Sequence, residues 1–301
     1  MDTRRLGRRE LLGLLLGGAL AGTLLLERQS PGQAATPAKP EAARLHWLAV
    51  ADTGGGNEPQ RAVGRAMAAV HRARPVDLVV LAGDNIYPKG DISQVKEKFT
   101  IPYKALLTAG VPFHAVLGNH DIRTANGDPQ IAYRPFGMKG RWYTLARGPV
   151  EFFMLDSNVN ADWGRQLPWL KRALAASQAP WKVVVAHHPI QSSGHYGNNE
   201  AARARLAPLF RQFGVQLYIN GHEHNYERSK PINGTTYLVV GGGGAYLRPV
   251  TPGPNSARAI SAHSFAELTA SNKQLLIQAW DSKGQSIDRA AINPAGQLIK
   301  P

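Results

Sequence analysis

Short, continuous apolar runs alternate with helical stretches through the first half of the chain. Arg44 to Ala51 (RLHWLAVA) reads as a strand ending at Asp52, and a Gly-rich turn leads from it into a helix over roughly Pro59–Arg74. Asp77 to Ala82 (DLVVLA) is a second strand, closing on Gly83-Asp84. A helical stretch near Val95–Leu107 leads to a third strand at Phe113–Leu117, which closes on Gly118-Asn119-His120-Asp121. Runs this short and apolar, with helices between them, are those of buried strands joined by crossovers. The pattern then changes. Trp142–Leu145 and Val150–Leu155 predict a hairpin, Asp162–Ala176 a helix, and Lys182–Ala186 a strand ending at His187-His188. A helix over about Glu200–Phe213 precedes a strand at Val215–Ile219 that ends in Gly221-His222. The tail is rich in strands, at Thr235–Val240, His263–Thr269, Gln274–Trp280 and Ser286–Ile292, and Gly241–Gly244 is expected to be a turn between strands rather than a phosphate cradle. With no repeat or internal linker, residues 41–301 read as a single α/β domain.

Residues 1–40 differ from the rest. Arginines at 4, 5, 8 and 9 precede an apolar run of 16 residues from Leu11 to Leu26, followed by a Ser/Pro/Gly/Ala stretch. That run is short for a membrane span of about 20 residues, and the order basic, apolar, small is that of an export signal. Arg8-Arg9 directly before the apolar run resembles a twin-arginine signal. Cleavage is expected near Ala34-Ala35, giving an exported (periplasmic or extracellular) protein with no stable membrane span, handled by twin-arginine export machinery; an uncleaved signal would leave it membrane-anchored.

Composition narrows the chemistry. The chain has 301 residues and no cysteine. Disulfides, thiolate metal sites and cysteine nucleophiles are therefore excluded. The net charge is +14, and residues 1–40, with six basic and three acidic side chains, account for little of it. The basic residues are scattered, so an anionic small ligand is expected and a nucleic-acid partner is not.

Asp52, Asp84, Asn119-His120, His187 and His222 each follow the carboxyl end of a predicted strand, the edge where open α/β sheets bind ligands. Singly, each has an ordinary explanation, an aspartate after a strand being commonly a turn or helix cap. Five such placements, all with oxygen or imidazole donors, point to one site. Two cations about 3.5–4 Å apart can share a carboxylate and grip a phosphoryl group, and hard oxygen and imidazole ligands suit Fe, Zn or Mn. In His222-Glu223-His224 the imidazoles stand at i and i+2, on one side of an extended segment.

The ordered blocks Asp52-Thr53-Gly54, Gly83-Asp84-Asn85-Ile86-Tyr87, Gly118-Asn119-His120-Asp121, Ala186-His187-His188-Pro189 and Gly221-His222-Glu223-His224 resemble those of the calcineurin-like metallophosphoesterases. More narrowly, they resemble the purple acid phosphatases in their short single-domain form. The resemblance covers about residues 45–229. It implies an α/β fold, a sandwich of two mixed β-sheets flanked by helices, and a binuclear centre of Fe(III) with divalent Fe, Zn or Mn. Most relatives read Asp-x-His in the first block. Here Gly54 stands third, and Tyr87, three residues after Asp84, falls where purple acid phosphatases place a tyrosinate ligand.

Carried over block by block, the resemblance assigns Asp52, Tyr87 and His224 to the iron, Asp84 to a bridge, and Asn119, His187 and His222 to the divalent metal. His120 would face the substrate phosphate and protonate the leaving oxygen, with Asp121 orienting it. His195, eight residues past His187, would be a second substrate-facing histidine. His188 would stand behind the ligands, while His46, His71, His114 and His263 fall outside the blocks and read as structural. The departures are small: Ala51 and Ala186 replace commoner glycines, and the disulfide of some animal members is absent.

The implied function is hydrolysis of phosphomonoesters to inorganic phosphate, by in-line attack of a metal-bound hydroxide with a histidine general acid. A phosphodiesterase or nucleotidase on the same site is the second reading. A non-catalytic phosphate- or metal-binding protein is the third, and the presence of every ligand position together with His120 argues against it.

Overall fold

Alternate residues of a strand point to opposite faces of its sheet, so a strand that is apolar at every position must be covered on both sides. The first strand shows how this is met. Trp47 and Ala49 of β1 (Leu45–Val50) face a core shared by two sheets, while Leu48 and Val50 face a helical layer on the other side. The structure is a computed structural model describing residues 44–301; the export signal and its cleavage site lie outside the described residues.

From β1 the chain runs through α1 (Glu58–Ala73), β2 (Leu78–Leu81), α2 (Lys104–Thr108), β3 (Phe113–Ala115) and α3 (Asp128–Ala132). The second half opens with β4 (Tyr143–Arg147), β5 (Val150–Met154), α4 (Trp163–Ala176), β6 (Trp181–Val185) and α5 (Glu200–Phe213). It continues through β7 (Leu217–Asn220), β8 (Tyr226–Ser229), β9 (Thr236–Val240), β10 (Ser256–Ile260), β11 (Ser264–Ala270), β12 (Leu275–Asp281), β13 (Ser286–Ile292) and β14 (Leu298–Ile299).

These strands form two seven-stranded sheets, ordered β14-β13-β12-β11-β1-β2-β3 and β10-β8-β9-β7-β6-β5-β4. Both are mixed. β1 pairs in parallel with β2 (Leu48 opposite Val79) and antiparallel with β11 (Leu48 opposite Glu267), and β5, β6, β7 and β9 are parallel neighbours. Between the sheets, Trp47 meets Phe152 edge-to-face at 5.5 Å. Outside the first sheet α1 buries Val63 and Met67, and outside the second α4 and α5 bury Leu170, Leu174, Leu206 and Phe210. The result is the expected sandwich of two mixed sheets flanked by helices. Local signals start the helices, as at α1, where the Asn57 side chain accepts from the Gln60 N–H at 3.1 Å and Pro59 lies in the first turn.

Three expectations change. The helix near Val95–Leu107 is broken into a 3₁₀ turn at Ile92–Gln94, a π turn at Lys96–Thr100 and α2. Pro102 has no N–H to continue a helix and its ring opposes the preceding turn. β8 and β10 escape the apolar pattern because their inward residues are polar and paired. Arg228 of β8 makes two bonds to Asp288, at 2.6 and 3.0 Å, and Glu227 accepts from the Ser256 hydroxyl of β10. The Gly241–Gly244 run leaves β9 and crosses the end of β1, where the Gly243 N–H donates to the Ala51 carbonyl at 3.1 Å. That carbonyl fills the space a side chain on Gly243 would need.

Candidate metal centre

Asp52 follows β1, Asp84 follows β2, Asn119 and His120 follow β3, His187 follows β6, and His222 and His224 follow β7. Packing the two sheets face to face brings these carboxyl ends to one edge. Three of the ligand positions, Asp52, Asp84 and His222, adopt left-handed φ values of 57°, 54° and 69°. Such conformations cost on the order of 1 kcal/mol or more for a non-glycine residue and persist where the surroundings fix them. Here the fixing is reciprocal: the His222 N–H donates to Asp52 Oδ2 and the His120 N–H to Asp84 Oδ1, both at 2.9 Å.

With one oxygen of each aspartate engaged, the other faces the centre. Tyr87 Oη lies 3.0 Å from Asp52 Oδ1 and 2.8 Å from Asp84 Oδ2, and His224 Nε2 lies 3.3 Å from both Tyr87 Oη and Asp52 Oδ1. On the other side, His187 Nε2 is 3.5 Å from Asp84 Oδ2, 3.1 Å from Asn119 Oδ1 and 3.3 Å from His222 Nδ1. All seven predicted ligands therefore converge, in two groups that meet at a single oxygen, Asp84 Oδ2.

The donor set fits two cations. Tyr87 has one hydrogen for two carboxylate oxygens, so one close contact has no proton to relieve it. Burial pushes Asp52 up to about 6, against the pull of His224, and burial followed by the two carboxylates pushes Tyr87 well above the ordinary phenol range. Burial and the neighbouring imidazoles drive His187 well down and His222 down to about 2, so both present neutral lone pairs. His187 Nδ1 donates to the Ala82 carbonyl (3.0 Å) and His224 Nδ1 to the Tyr246 carbonyl (2.7 Å), which leaves each Nε2 free for a metal. Positive charge among these groups would relieve every one of these strains. The absent first-block histidine is explained as well: a Cβ on Gly54 would come within 2.5 Å of the Ile86 backbone, which leads directly to Tyr87.

His120 sits against this cluster, its ring 4.5 Å from that of Tyr87. Its Nδ1 donates to the Pro88 carbonyl at 2.7 Å, and Arg123 Nη2 lies 3.3 Å from its Nε2. The expectation that Asp121 orients His120 is corrected. Asp121 is fully buried, and its carboxylate accepts from the N–H groups of Gly118, Asn85 and Ile86 and from the side chains of Asn85 and Gln130. It ties together the two loops that carry Asp84 and Asn119, and the Pro88 carbonyl and Arg123 are what position His120.

His195 is exposed on the rim, its ring edge-on to Tyr196, and Tyr196 is the side chain that lies on His222. His188, expected behind the ligands, instead groups with His187 and His222 as a third imidazole that could hold a metal, its Nδ1 2.9 Å from the Ser157 hydroxyl. His222 and His224 reach the two groups, but not from the extended segment expected: His222 has a left-handed φ of 69° within a bend, and the Glu223 between them is fully buried and accepts from the N–H groups of His195 and Tyr196.

The calcineurin-like phosphoesterase family profile matches residues 45–226, a span that contains all seven ligand positions. The chain belongs to that family. Among relatives of this chain, purple acid phosphatase 3 of Arabidopsis thaliana is 29% identical over an alignment covering 67% of this chain. The alignment spans 63% of that protein's length. Tartrate-resistant acid phosphatase type 5 of Homo sapiens is 29% identical, covering 88% of this chain and 93% of that protein. Purple acid phosphatase PPD1 from yellow lupin (Lupinus luteus) seeds shares the fold, with a TM-score of 0.73 at 23% identity over 84% of this chain and 54% of that one.

Three features of this site lie outside the motif blocks or were unread within them: Tyr196, Arg248 and the buried Glu223. Arg248 comes 24 residues after His224 in a Gly- and Pro-rich connection, where sequence spacing carries no signal for it. A groove of about 820 Å³ runs along α5 past Arg203 and Arg211 and contains none of the ligand positions.

Proposed function

We propose that this chain is an exported phosphatase that hydrolyses phosphomonoesters at a binuclear metal centre. The observation that carries the reading is the shared oxygen: Asp84 Oδ2 is within 2.8 Å of Tyr87 Oη and 3.5 Å of His187 Nε2, so one carboxylate serves both ligand groups. Asp52, Tyr87 and His224 would hold Fe(III) with Asp84 bridging, and Asn119, His187 and His222 would hold divalent Fe, Zn or Mn. When bound, the pair supplies Lewis acidity to a phosphoryl group and lowers the pKa of water.

The chain's own groups do the rest. With Nδ1 committed to Pro88, Nε2 is the His120 nitrogen left to serve a leaving oxygen, and Arg123, whose Nη2 lies 3.3 Å from it, would have to give up that contact for Nε2 to carry and hand over a proton. The His120 N–H and the His222 N–H hold the two aspartates in place. The net charge of +11 on residues 41–301, which is 14 less the 3 of residues 1–40, draws an anionic ester towards the protein. Arg8-Arg9 and the apolar run after them support export by the twin-arginine route.

The test combines metal analysis and a visible spectrum with assays on a phosphomonoester and a phosphodiester. His222→Ala and Asn119→Ala should each lower monoester turnover by orders of magnitude while the fold is kept. Wild-type rates in either variant at full metal loading would overturn the ligand assignment. A faster diester reaction would favour a phosphodiesterase, and a fully loaded wild-type protein without turnover of either would favour a phosphate-binding protein.

A further inference from the structure

Beside the half of the centre built from His187 and His222 stands a pair of side chains that the chemistry above leaves unused. Two buried glutamates pin the loop Ser192–Tyr196. Glu223 accepts from the N–H groups of His195 (2.9 Å) and Tyr196 (2.5 Å), and Glu227 accepts from the Ser193 N–H (2.7 Å) and the Ser192 hydroxyl (3.0 Å). The pinned loop lays Tyr196 on His222, ring centroids 4.3 Å apart and planes within 21°.

The guanidinium of Arg248 lies 4.8 Å from the same tyrosine ring, a cation–π contact. Its Nη1 donates to the His222 carbonyl at 2.9 Å, and its backbone N–H donates to the His224 carbonyl at 3.1 Å. Arg228 and Arg141, by contrast, are neutralised by Asp288 and by Asp128 and Asp156. Arg248 has no carboxylate partner among the described residues. It is a fixed positive charge with most of its N–H donors unspent. Tyr196 remains 51% exposed, so the pair stands at the rim of the centre, open to solvent. Holding a partnerless guanidinium rigidly beside a cluster of metal ligands is what recognition of an anion requires, since a planar fork already in place loses little freedom on binding.

We propose that Tyr196 and Arg248 form a second anion subsite, so that the centre prefers phosphate compounds carrying a further phosphate or carboxylate group over simple monoesters. The proposal rests on the phosphatase reading, and its test separates the two. Equilibrium binding to the metal-loaded protein is measured for three non-hydrolysable probes. Methylphosphonate has one anionic group, phosphonoacetate adds a carboxylate, and methylenebisphosphonate adds a second phosphonate. Wild type should bind at least one of the latter two about tenfold or more tighter than methylphosphonate, the scale of one charge-assisted hydrogen bond.

Arg248→Gln should bring that affinity down to the level of methylphosphonate, and Arg248→Lys should keep part of the preference. Thermal melting of each variant confirms that it is folded. Preference for phosphonoacetate identifies a carboxylate as the second group, and preference for methylenebisphosphonate identifies a phosphate. If wild type shows no preference, or Arg248→Gln keeps it in full, the subsite is wrong while methylphosphonate binding still supports the phosphatase reading. A loaded protein that binds none of the three overturns both.

Discussion

Replacing Asp121 by Asn separates the structural account of this residue from the one its position in the sequence suggests. Its two oxygens accept from the N–H groups of Gly118 (2.8 Å), Asn85 (3.0 Å) and Ile86 (3.1 Å), from Asn85 Nδ2 (3.1 Å) and from Gln130 Nε2 (2.9 Å). Burial and the charge of Asp84 raise its carboxyl, while the donors from Gly118, Gln130 and Asn85 lower it. The net effect is a carboxyl raised to about 7, so the comparison is made at pH 8, where all five donors meet a carboxylate. Asn keeps one accepting oxygen and turns an NH₂ towards the remaining donors. About two bonds to a charged acceptor are lost, each worth roughly 1.5–3 kcal/mol, so stability should fall by about 3–6 kcal/mol. At roughly 2–4 °C per kcal/mol for a domain of this size, the melting midpoint should drop on the order of 10 °C. Metal content should fall with it, because the loops of Asp84 and Asn119 lose their common anchor. Thermal melting, metal analysis and turnover across a leaving-group series read all three effects. A variant that melts like the parent and holds both metals, but fails selectively on poor leaving groups, would show that Asp121 acts through His120 after all.

Three further outcomes are expected. His120→Ala should slow alkyl phosphates about 10²–10⁴-fold, the usual scale of general-acid help, and activated aryl phosphates much less; equal losses across a leaving-group series would make His120 a binding group. Tyr87→Phe should abolish a visible absorption band in iron-loaded protein and weaken iron retention, and a colourless wild type containing oxidised iron would refute the tyrosinate ligand. In chelator-stripped protein, Asp52 with its pKa raised from 3.8 to about 6 contributes stability below pH 3.8 that is lost as the pH rises through 6. At 1.36 kcal/mol per unit, stripped Asp52→Asn should match the parent near pH 4 and exceed it by about 3 kcal/mol at pH 7.5; melts in which the difference between them does not change with pH would exclude a buried, strained Asp52.

What the sequence made legible follows from how local its signals were. Strands covered on both faces read as unbroken apolar runs, so β1, β2, β5, β6 and β9 were placed to within a residue or two, and the residues after them defined one edge. That edge gathers all seven predicted ligand positions, because a residue shortly after a strand of the sheet inherits its position from the sheet. The misses share a physical cause. β8 is wholly buried yet reads as polar, Arg228 and Glu227 being satisfied by Asp288 and Ser256, residues 60 and 29 positions away. Asp121 adjoins His120 in sequence, but a 3₁₀ turn starts at Asp121 and its carboxylate reaches back to residues 85 and 86. Adjacency suggested a partner that the turn forbids. Tyr196 and Arg248 depend on a loop held by glutamates 27 to 34 residues later in the chain. Their pairing exists only after the second sheet has closed, and no spacing along the chain encodes it. These side chains lie against His222 and His224 without belonging to the ligand blocks, so the proposed preference for a second anionic group falls in the part of the site that sequence motifs describe least.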